Sequence, residues 1–167
     1  MMINFKGSVS GMFHAKDVLS DQLLANANDP SWYVPFSESV KGLTEEQAFW
    51  KASKENNSIA EIVQHLLYWN KTWQIRYKES SVNAVPAVGS NDSTFTISIN
   101  ITFDELKKQL LEVLLDWQVI LTEEQLEKSV QEYSNANWWQ VVGNVTTHNA
   151  YHIGQIVYIR KLQKSWK

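Results

Sequence analysis

Apolar residues recur every three or four positions along four stretches of this chain, which is the spacing of an amphipathic helix. The stretches cover residues 8–28, 58–78, 102–121 and 137–163. The apolar stripe of the first consists of Val9, Met12, Phe13, Leu19 and Leu23. The other three open with Ser, Thr or Asn followed three residues later by Glu or Gln, the pattern of a helix N-terminus. The pattern predicts an all-α fold with four long helices.

The connections between these helices differ in length. Residues 29–57 and 80–100 form long connections. Capping motifs at Thr44 and Thr122 predict a short extra helix in the first connection and a short helical piece before the last long helix. Long connections can cross a bundle, whereas short ones join antiparallel neighbours. We therefore expect a four-helix bundle with an up-down-down-up order, formed by residues 1–167 as a single domain.

One segment of the second connection has a different period. Phe95, Ile97, Ile99 and Ile101 alternate with other residues, which is a strand pattern. A lone strand has no partner in this sequence, and an isolated strand is not stable. We expect an extended loop that packs on the bundle, and a multi-stranded sheet there would contradict the all-α prediction.

Composition excludes several classes of function. The net charge of −3 offers no basic stripe for a nucleic-acid backbone, so DNA or RNA binding is not expected. No apolar run approaches ~18 residues and the start lacks a signal-peptide pattern, so we expect a cytoplasmic protein without a membrane partner. The absence of cysteine restricts any metal site to nitrogen and oxygen ligands. Trp32, Trp50 and Trp166 lie outside the helix stripes and predict an apolar surface that forms a homodimer.

Two histidines stand one helical turn apart in the last stripe. His148 and His152 straddle its centre at positions i and i+4, and His65 lies at the flank of the second stripe. His14 falls opposite the first stripe and is excluded on that ground. Three imidazoles could share one divalent cation. Buried, hydrogen-bonded histidines would explain the same pattern, and the spacing alone leaves both interpretations open.

Three residues near the histidines are weaker candidates. Glu61 lies one turn before His65, but its capping-box position explains it fully. Gln155 could form a hydrogen bond near a metal or pack against a neighbouring loop. Tyr151 could donate a proton, although an ordinary core tyrosine is the simpler interpretation.

A short motif connects this sequence to a known family. Residues 148–156 read HNAYHIGQI, which resembles the final-helix motif of the DinB/YfiT-like superfamily, H-x-x-x-H followed by Gly-Gln. Residues 58–66, SIAEIVQHL, resemble its second-helix motif, and residues 43–48, LTEEQA, are also similar. The resemblance extends over nearly the whole chain in order and spacing. Ile153 departs from it, because a basic residue is frequent at that position in the family.

The resemblance implies a four-helix bundle in which His65, His148 and His152 hold a divalent metal ion. Zinc and nickel are the first candidates, since all-nitrogen sites suit them. Because each ligand must be neutral, metal binding should weaken below about pH 6.5.

The resemblance implies the ligands of such a site but leaves several functions open. Relatives in the wider superfamily include S-transferases and isomerases that use bacillithiol or mycothiol, which implies a low-molecular-weight thiol cofactor and a small-molecule substrate. Metal-dependent hydrolysis is the second enzymatic interpretation. The alternative is a non-enzymatic metal-binding or stress-associated scaffold, and the sequence does not decide whether the protein is an enzyme.

Overall fold

The computed structural model describes residues 14–133 and 136–166, and within them the chain is helical. The α-helices of these residues are α1 (Ala15–Ala27), α2 (Phe36–Ser39), α3 (Glu45–Phe49), α4 (Ile59–Lys78), α5 (Phe103–Ile120), α6 (Glu123–Glu127) and α7 (Trp138–Leu162). Two 3-10 helices span Val82–Ala84 and Asn91–Phe95. Helices α1, α4, α5 and α7 match the four predicted stretches, so the all-α prediction is confirmed. The part of the first stripe formed by Val9, Met12 and Phe13 lies outside the described residues.

The helices begin where the capping motifs predict. Ser58 Oγ accepts a hydrogen bond from the backbone N–H of Glu61 at 3.2 Å, and the Glu61 carboxylate accepts one from the Ser58 N–H at 2.7 Å. Thr44 and Thr102 form the same reciprocal pairs at the starts of α3 and α5. Each pair satisfies two N–H groups that the helix itself leaves without a partner. Helix α2, which follows Pro35, has no counterpart among the predicted elements.

The four long helices form two parallel pairs. Successive contacts advance in the same direction along α4 and α5 and along α1 and α7, but in opposite directions along α4 and α7. Around the bundle the order is α1, α5, α4, α7, so the predicted up-down-down-up order is confirmed. For α4 and α5 the contacts that define the direction are Lys71–Gln109 and Gln74–Val113. For α1 and α7 they are Leu19–Gly143 and Asn26–Thr146. For α4 and α7 they are Asn70–Asn149 and Tyr77–Trp138.

The connection between α4 and α5 packs on the bundle without forming a strand. Phe95 ends the second 3-10 helix, and Phe95, Ile97 and Ile101 pack against the core. Ile99 is exposed, so the alternation does not mark two faces of a sheet. An isolated two-residue bridge is the only strand-like pairing in the part of the chain that the structure describes.

The core consists of two apolar clusters at different levels of the bundle. The first includes Ile59, Val63, Leu66, Leu106, Leu110, Leu114, Ile153 and Ile156. The second includes Leu23, Tyr77, Trp117, Trp138, Val142 and Val145. Where α4 and α7 pass from one cluster to the other, they carry polar side chains that we call the polar belt. Its members are His65, Asn70, His148, Asn149 and His152.

Several large apolar side chains remain on the surface. Trp32 and Trp50 are exposed, and Trp166 is partly buried with the Arg160 guanidinium 5.0 Å from its ring centroid. Association of two copies through this surface stays a prediction. None of the helices in residues 14–133 and 136–166 has the length and apolar character needed to cross a bilayer.

Candidate metal centre

Helices α4 and α7 bring three histidines together. Their antiparallel packing places His65 opposite His148 and His152, and one ring nitrogen of each residue lies within 4.8 Å of the other two. The predicted clustering is therefore confirmed, while metal binding itself stays a prediction. His14 is exposed and lies apart from the cluster, with Nδ1 3.5 Å from a carboxylate oxygen of Glu123.

The closest ring nitrogens have the spacing of two ligands on one ion. Nε2 of His65 and Nε2 of His148 are 3.0 Å apart. Two nitrogens about 2.0–2.1 Å from one ion, at angles between roughly 90° and 110°, lie about 2.8–3.4 Å from each other. The His152 ring centroid is 4.7 Å from that of His65 and 4.6 Å from that of His148. The three rings therefore surround a common point.

Thr94 fixes the orientation of the His65 ring. The Thr94 hydroxyl donates its hydrogen to the carbonyl oxygen of Asn91 at 2.6 Å, so toward His65 it can only accept. His65 Nδ1 lies 2.6 Å from the Thr94 oxygen and must be the donor. The proton of the neutral ring is therefore on Nδ1, and the lone pair on Nε2 faces His148. Such an outer partner is the usual companion of a metal-binding histidine.

Gln155 has the same role toward His152. The Gln155 amide oxygen lies 2.7 Å from His152 Nδ1, and an amide oxygen only accepts. His152 therefore carries its proton on Nδ1 and keeps the Nε2 lone pair free. Of the two sequence interpretations of Gln155, the structure supports the hydrogen bond beside the candidate site. Gln155 follows His152 by three residues, so the contact is made within one face of α7.

Burial keeps all three rings neutral. Desolvation, followed by repulsion from His152 and His148, lowers the pKa of His65 to about 3. Desolvation and the neighbouring His152 lower the pKa of His148 to about 4. Desolvation also lowers the pKa of His152, against a weaker opposing effect of the hydrogen bond to Gln155. At neutral pH the three rings can all offer lone pairs, which is the protonation state that a metal ion requires.

Glu61 does not complete the cluster. One of its carboxylate oxygens accepts from the Ser58 N–H, and the other lies 2.7 Å from Lys51 Nζ. The capping interpretation is therefore confirmed. Among the described residues, the group that could hold an ion consists of the three histidines and contains no carboxylate. The donor set is three neutral imidazole nitrogens, which fits zinc, nickel and similar divalent cations.

The three histidines line an open cleft of about 670 Å³. Half-buried aromatic side chains form part of its surface, among them Trp69 and Trp73 of α4. Phe95 stacks on the His65 ring with a centroid distance of 4.0 Å and an interplanar angle of 10°. This stacking covers one face of the His65 ring and holds the ring in place.

Tyr151 lies at the rim of this cleft. Its side chain is 63% exposed, and its ring centroid is 5.0 Å from that of His152. The interpretation as an ordinary core tyrosine is therefore wrong. The reason is that Tyr151 lies about 100° around the helix from His152, at the edge of the buried face of α7.

The sequence of this chain matches a known protein family. The family model of the DinB superfamily matches residues 35–156, which is more than half of the chain. This chain belongs to the DinB superfamily. The matched span contains all three histidines of the candidate centre, and also Gln155.

A solved DinB-like structure has the same fold. The protein YjoA from Bacillus subtilis is 18% identical to this chain, with a TM-score of 0.63 over 87% of this chain and 92% of that one. At this level of identity the likeness shows the DinB fold alone. No curated protein sequence matches this chain.

Ile153, the departure from the common DinB pattern, is buried in the first apolar cluster. A basic side chain there would be desolvated among apolar neighbours, so in this bundle the position contributes to packing. Its neighbour His152 keeps the position that its spacing from His148 predicts.

Proposed function

We propose that this DinB protein is a metal-dependent enzyme in which His65, His148 and His152 hold a divalent cation. The observation that carries the proposal is the convergence of three neutral imidazoles beside an open cleft. Two of the rings have their Nδ1 protons held by outer partners, which leaves their Nε2 lone pairs for an ion. Zinc and nickel are the first candidates.

The number of protein ligands favours a catalytic role over a structural one. Structural zinc sites are closed by four protein ligands, whereas catalytic sites have three and leave a position for substrate or water. No carboxylate of the described residues joins the three histidines, and Glu61 is engaged by Ser58 and Lys51. The cleft beside the histidines gives a small molecule access to that position.

The cleft also favours one class of reaction. When bound, the ion would supply Lewis acidity, which makes water or a thiol a nucleophile near neutral pH. Metal-dependent hydrolysis commonly pairs the ion with a carboxylate base, and no carboxylate of the described residues lines this cleft. We therefore favour transfer of a low-molecular-weight thiol, such as bacillithiol, to an electrophilic small molecule over hydrolysis.

The surrounding residues would each contribute to such a reaction. Thr94 and Gln155 hold the Nδ1 protons of His65 and His152 and so keep the rings oriented. Phe95 excludes water from one face of the His65 ring. A phenol at the position of Tyr151 can hold or release a proton at the rim, the role of a general acid or base.

Metal analysis of untagged protein tests the proposal. We expect about one divalent ion per chain after purification or after loading with zinc or nickel, and none in a variant with all three histidines changed to Ala. The His14→Ala variant is the matched control, because His14 lies outside the cluster. Failure of the wild-type protein to retain any divalent ion would overturn the proposal.

A second measurement separates the enzyme from a metal-binding scaffold. Cobalt-loaded protein should change its absorption spectrum when a small thiol such as bacillithiol is added, since sulfur then becomes a ligand of the ion. Transfer of that thiol to an electrophile should require the loaded ion. A loaded protein that neither binds the thiol nor turns over would instead support the non-enzymatic alternative.

A further inference from the structure

The walls of the cleft are aromatic and ordered. Trp69 and Trp73 lie one turn apart on α4, with ring centroids 6.5 Å apart and an interplanar angle of 25°. The Trp69 indole N–H donates to the Asn91 side-chain oxygen at 3.2 Å, which fixes the edge of that ring. Both rings are half-buried. They therefore present flat apolar surface that a ligand could remove from water.

Within residues 14–133 and 136–166, no Lys, Arg, Asp or Glu side chain lines these walls. Apart from the histidines and two tyrosines, the polar side chains that line the cleft in the described residues are amides: Asn70, Asn91, Gln140 and Asn144. The guanidinium of Arg76, also on α4, lies 4.8 Å from the Trp73 ring centroid. It donates to the Val85 carbonyl at 2.9 Å, and Arg76 does not line the cleft.

The neutrality is specific to this cleft. A larger cleft of about 970 Å³ lies elsewhere on the bundle, and four charged side chains line it: Glu38, Lys41, Arg160 and Lys164. The chain as a whole has 20% charged residues. Among the residues that the structure describes, the lack of Lys, Arg, Asp and Glu on this surface therefore distinguishes the cleft beside the histidines.

We propose that this cleft binds uncharged aromatic compounds, with charge confined to the group that reacts at the histidine centre. The inference rests on the proposed function for the place of reaction and on the cleft walls for the class of ligand. An anionic group held against the aromatic walls would lose its hydration without gaining a cationic partner. A thiol cofactor with several carboxylates would keep those groups in the solvent outside the cleft.

Two probes that differ mainly in charge test this inference. Naphthalenemethanol is neutral and naphthoate is an anion of similar size and shape. Both probes are titrated calorimetrically into the metal-free and the zinc-loaded full chain. In the metal-free form, naphthalenemethanol should bind at least about tenfold more tightly than naphthoate. Trp69→Leu should weaken its binding by about tenfold, because a flat aromatic surface is lost. Trp32→Leu is the control, since Trp32 lines the other cleft.

A variant that adds a positive charge to the cleft should strengthen the binding of one probe, a result that a loss of folding cannot produce. Asn144 is exposed on α7 and lines the cleft, and lysine is a good helix former. Asn144→Lys should raise the affinity for naphthoate and reduce the preference for the neutral probe at least several-fold.

The outcomes separate this inference from the proposed function. Naphthoate binding as tightly as naphthalenemethanol to the metal-free wild type, or no binding of either probe, would overturn the inference. Absence of metal binding would overturn the proposed function alone, because the probe titrations of the metal-free chain do not depend on an ion.

Discussion

The polar belt has two levels, and their polar groups are satisfied in different ways. At one level Asn70 and Asn149 exchange a reciprocal pair of hydrogen bonds between α4 and α7, at 2.8 and 3.2 Å. The Trp117 indole N–H also donates to the Asn70 amide oxygen at 3.0 Å, and the Asn70 amide nitrogen donates to the Leu66 carbonyl at 2.8 Å. Both amides are fully buried, and their donors and acceptors complement one another.

The histidine level next to it is satisfied by contacts that depend on where the ring protons lie. Nδ1 of His65 and Nδ1 of His152 have partners, but the Nε2 atoms of His65 and His148 face each other at 3.0 Å. With the His65 proton on Nδ1, His148 can donate an Nε2 proton to His65 Nε2, or the two nitrogens can share a cation in place of that proton. The amide level holds the two helices in register, while the histidine level is the place where we propose that a cation binds. Removing one residue from each level should therefore damage different properties of the protein.

The largest effect is expected at the histidine level. His148→Ala removes one of three proposed ligands, so the affinity for zinc should fall by more than about 100-fold, the upper end of what loss of an outer partner causes. The half-buried position of His148 limits the loss of stability in the metal-free protein. Competition with a chelator of known affinity measures the change. Unaltered zinc affinity in His148→Ala would show that the cluster is a set of hydrogen-bonded core histidines.

A change at the amide level should lower the stability of the fold rather than the affinity for zinc. Asn70→Ala leaves the Asn149 amide and the Trp117 indole N–H buried without partners, which should lower the free energy of unfolding by about 3–4 kcal/mol. Urea denaturation of the metal-free protein measures the loss. Asn144→Ala, on the exposed side of α7, is the control and should change stability by less than about 0.5 kcal/mol. If Asn70→Ala lost metal without losing stability, the two levels would not have separate roles.

The free energy of unfolding should depend on pH because the buried histidines stay neutral in the folded chain. Above about pH 6.5 the rings are neutral in both the folded and the unfolded chain, so they contribute no slope. Below it the unfolded chain takes up protons, whereas in the folded chain the pKa of His65 is about 3 and that of His148 about 4. The free energy of unfolding of the metal-free protein should therefore fall by up to about 2 kcal/mol for each of these two histidines between pH 6.5 and 4.5.

Denaturation at a series of pH values checks this dependence, and His65→Leu should reduce the slope by about half, since His148 still contributes. His14→Ala should leave the slope unchanged. The expectation that metal binding weakens below about pH 6.5 used the ordinary histidine pKa, and the lowered pKa values of His65 and His148 predict a lower pH for this loss. Protons compete for these rings only at lower pH, so zinc should remain bound at pH 5.5 to 6, where exposed histidines would release it.

Much of the helical fold could be predicted from the sequence because it follows from local patterns. The capping pairs at Ser58 and Thr102 depend on residues three positions apart, and their spacing is visible without a structure. The meeting of His65 with His148 and His152 is not local. The sequence indicated it only through the apolar stripes and the resemblance to the family.

The outer partners of the centre differ in how far they could be predicted. Gln155 lies on the same helix as His152, so a contact between them follows from helical spacing. Thr94 lies in a 3-10 helix of a long connection, 29 residues from His65 along the chain. The position of such a segment depends on tertiary packing, and no periodicity marks it. The alternation of Phe95 with Ile97 even indicated a strand pattern in the same region.

Thr94→Val therefore tests a contact that only the structure shows. Valine has nearly the same shape but cannot accept the Nδ1 proton of His65, so the ring loses its fixed tautomer. Zinc affinity should fall by about 10- to 100-fold, less than in His148→Ala. Thr96→Val is the matched control, because Thr96 is exposed two residues further on. Equal zinc affinity in the two Thr variants would mean that the His65 orientation is set by packing against Phe95 alone.

The smallest effect is expected for Tyr151→Phe. The Tyr151 side chain is 63% exposed and lies at the rim of the cleft, and its hydroxyl has no hydrogen-bond partner among the described residues. Zinc affinity should therefore change by less than about twofold, since an outer contact with a ligand would have cost at least tenfold. Any S-transfer activity should fall only partly, because a phenol that assists proton transfer can be replaced by solvent at an exposed site.

Tyr158→Phe separates a local role of Tyr151 from a general effect of removing a surface hydroxyl. Tyr158 is equally exposed on the same helix but does not line the cleft. Activity lowered in Tyr151→Phe and retained in Tyr158→Phe, with zinc bound in both, would place proton transfer at the rim. Loss of zinc in Tyr151→Phe would instead make the phenol part of the histidine level, which would then extend to the surface of the bundle.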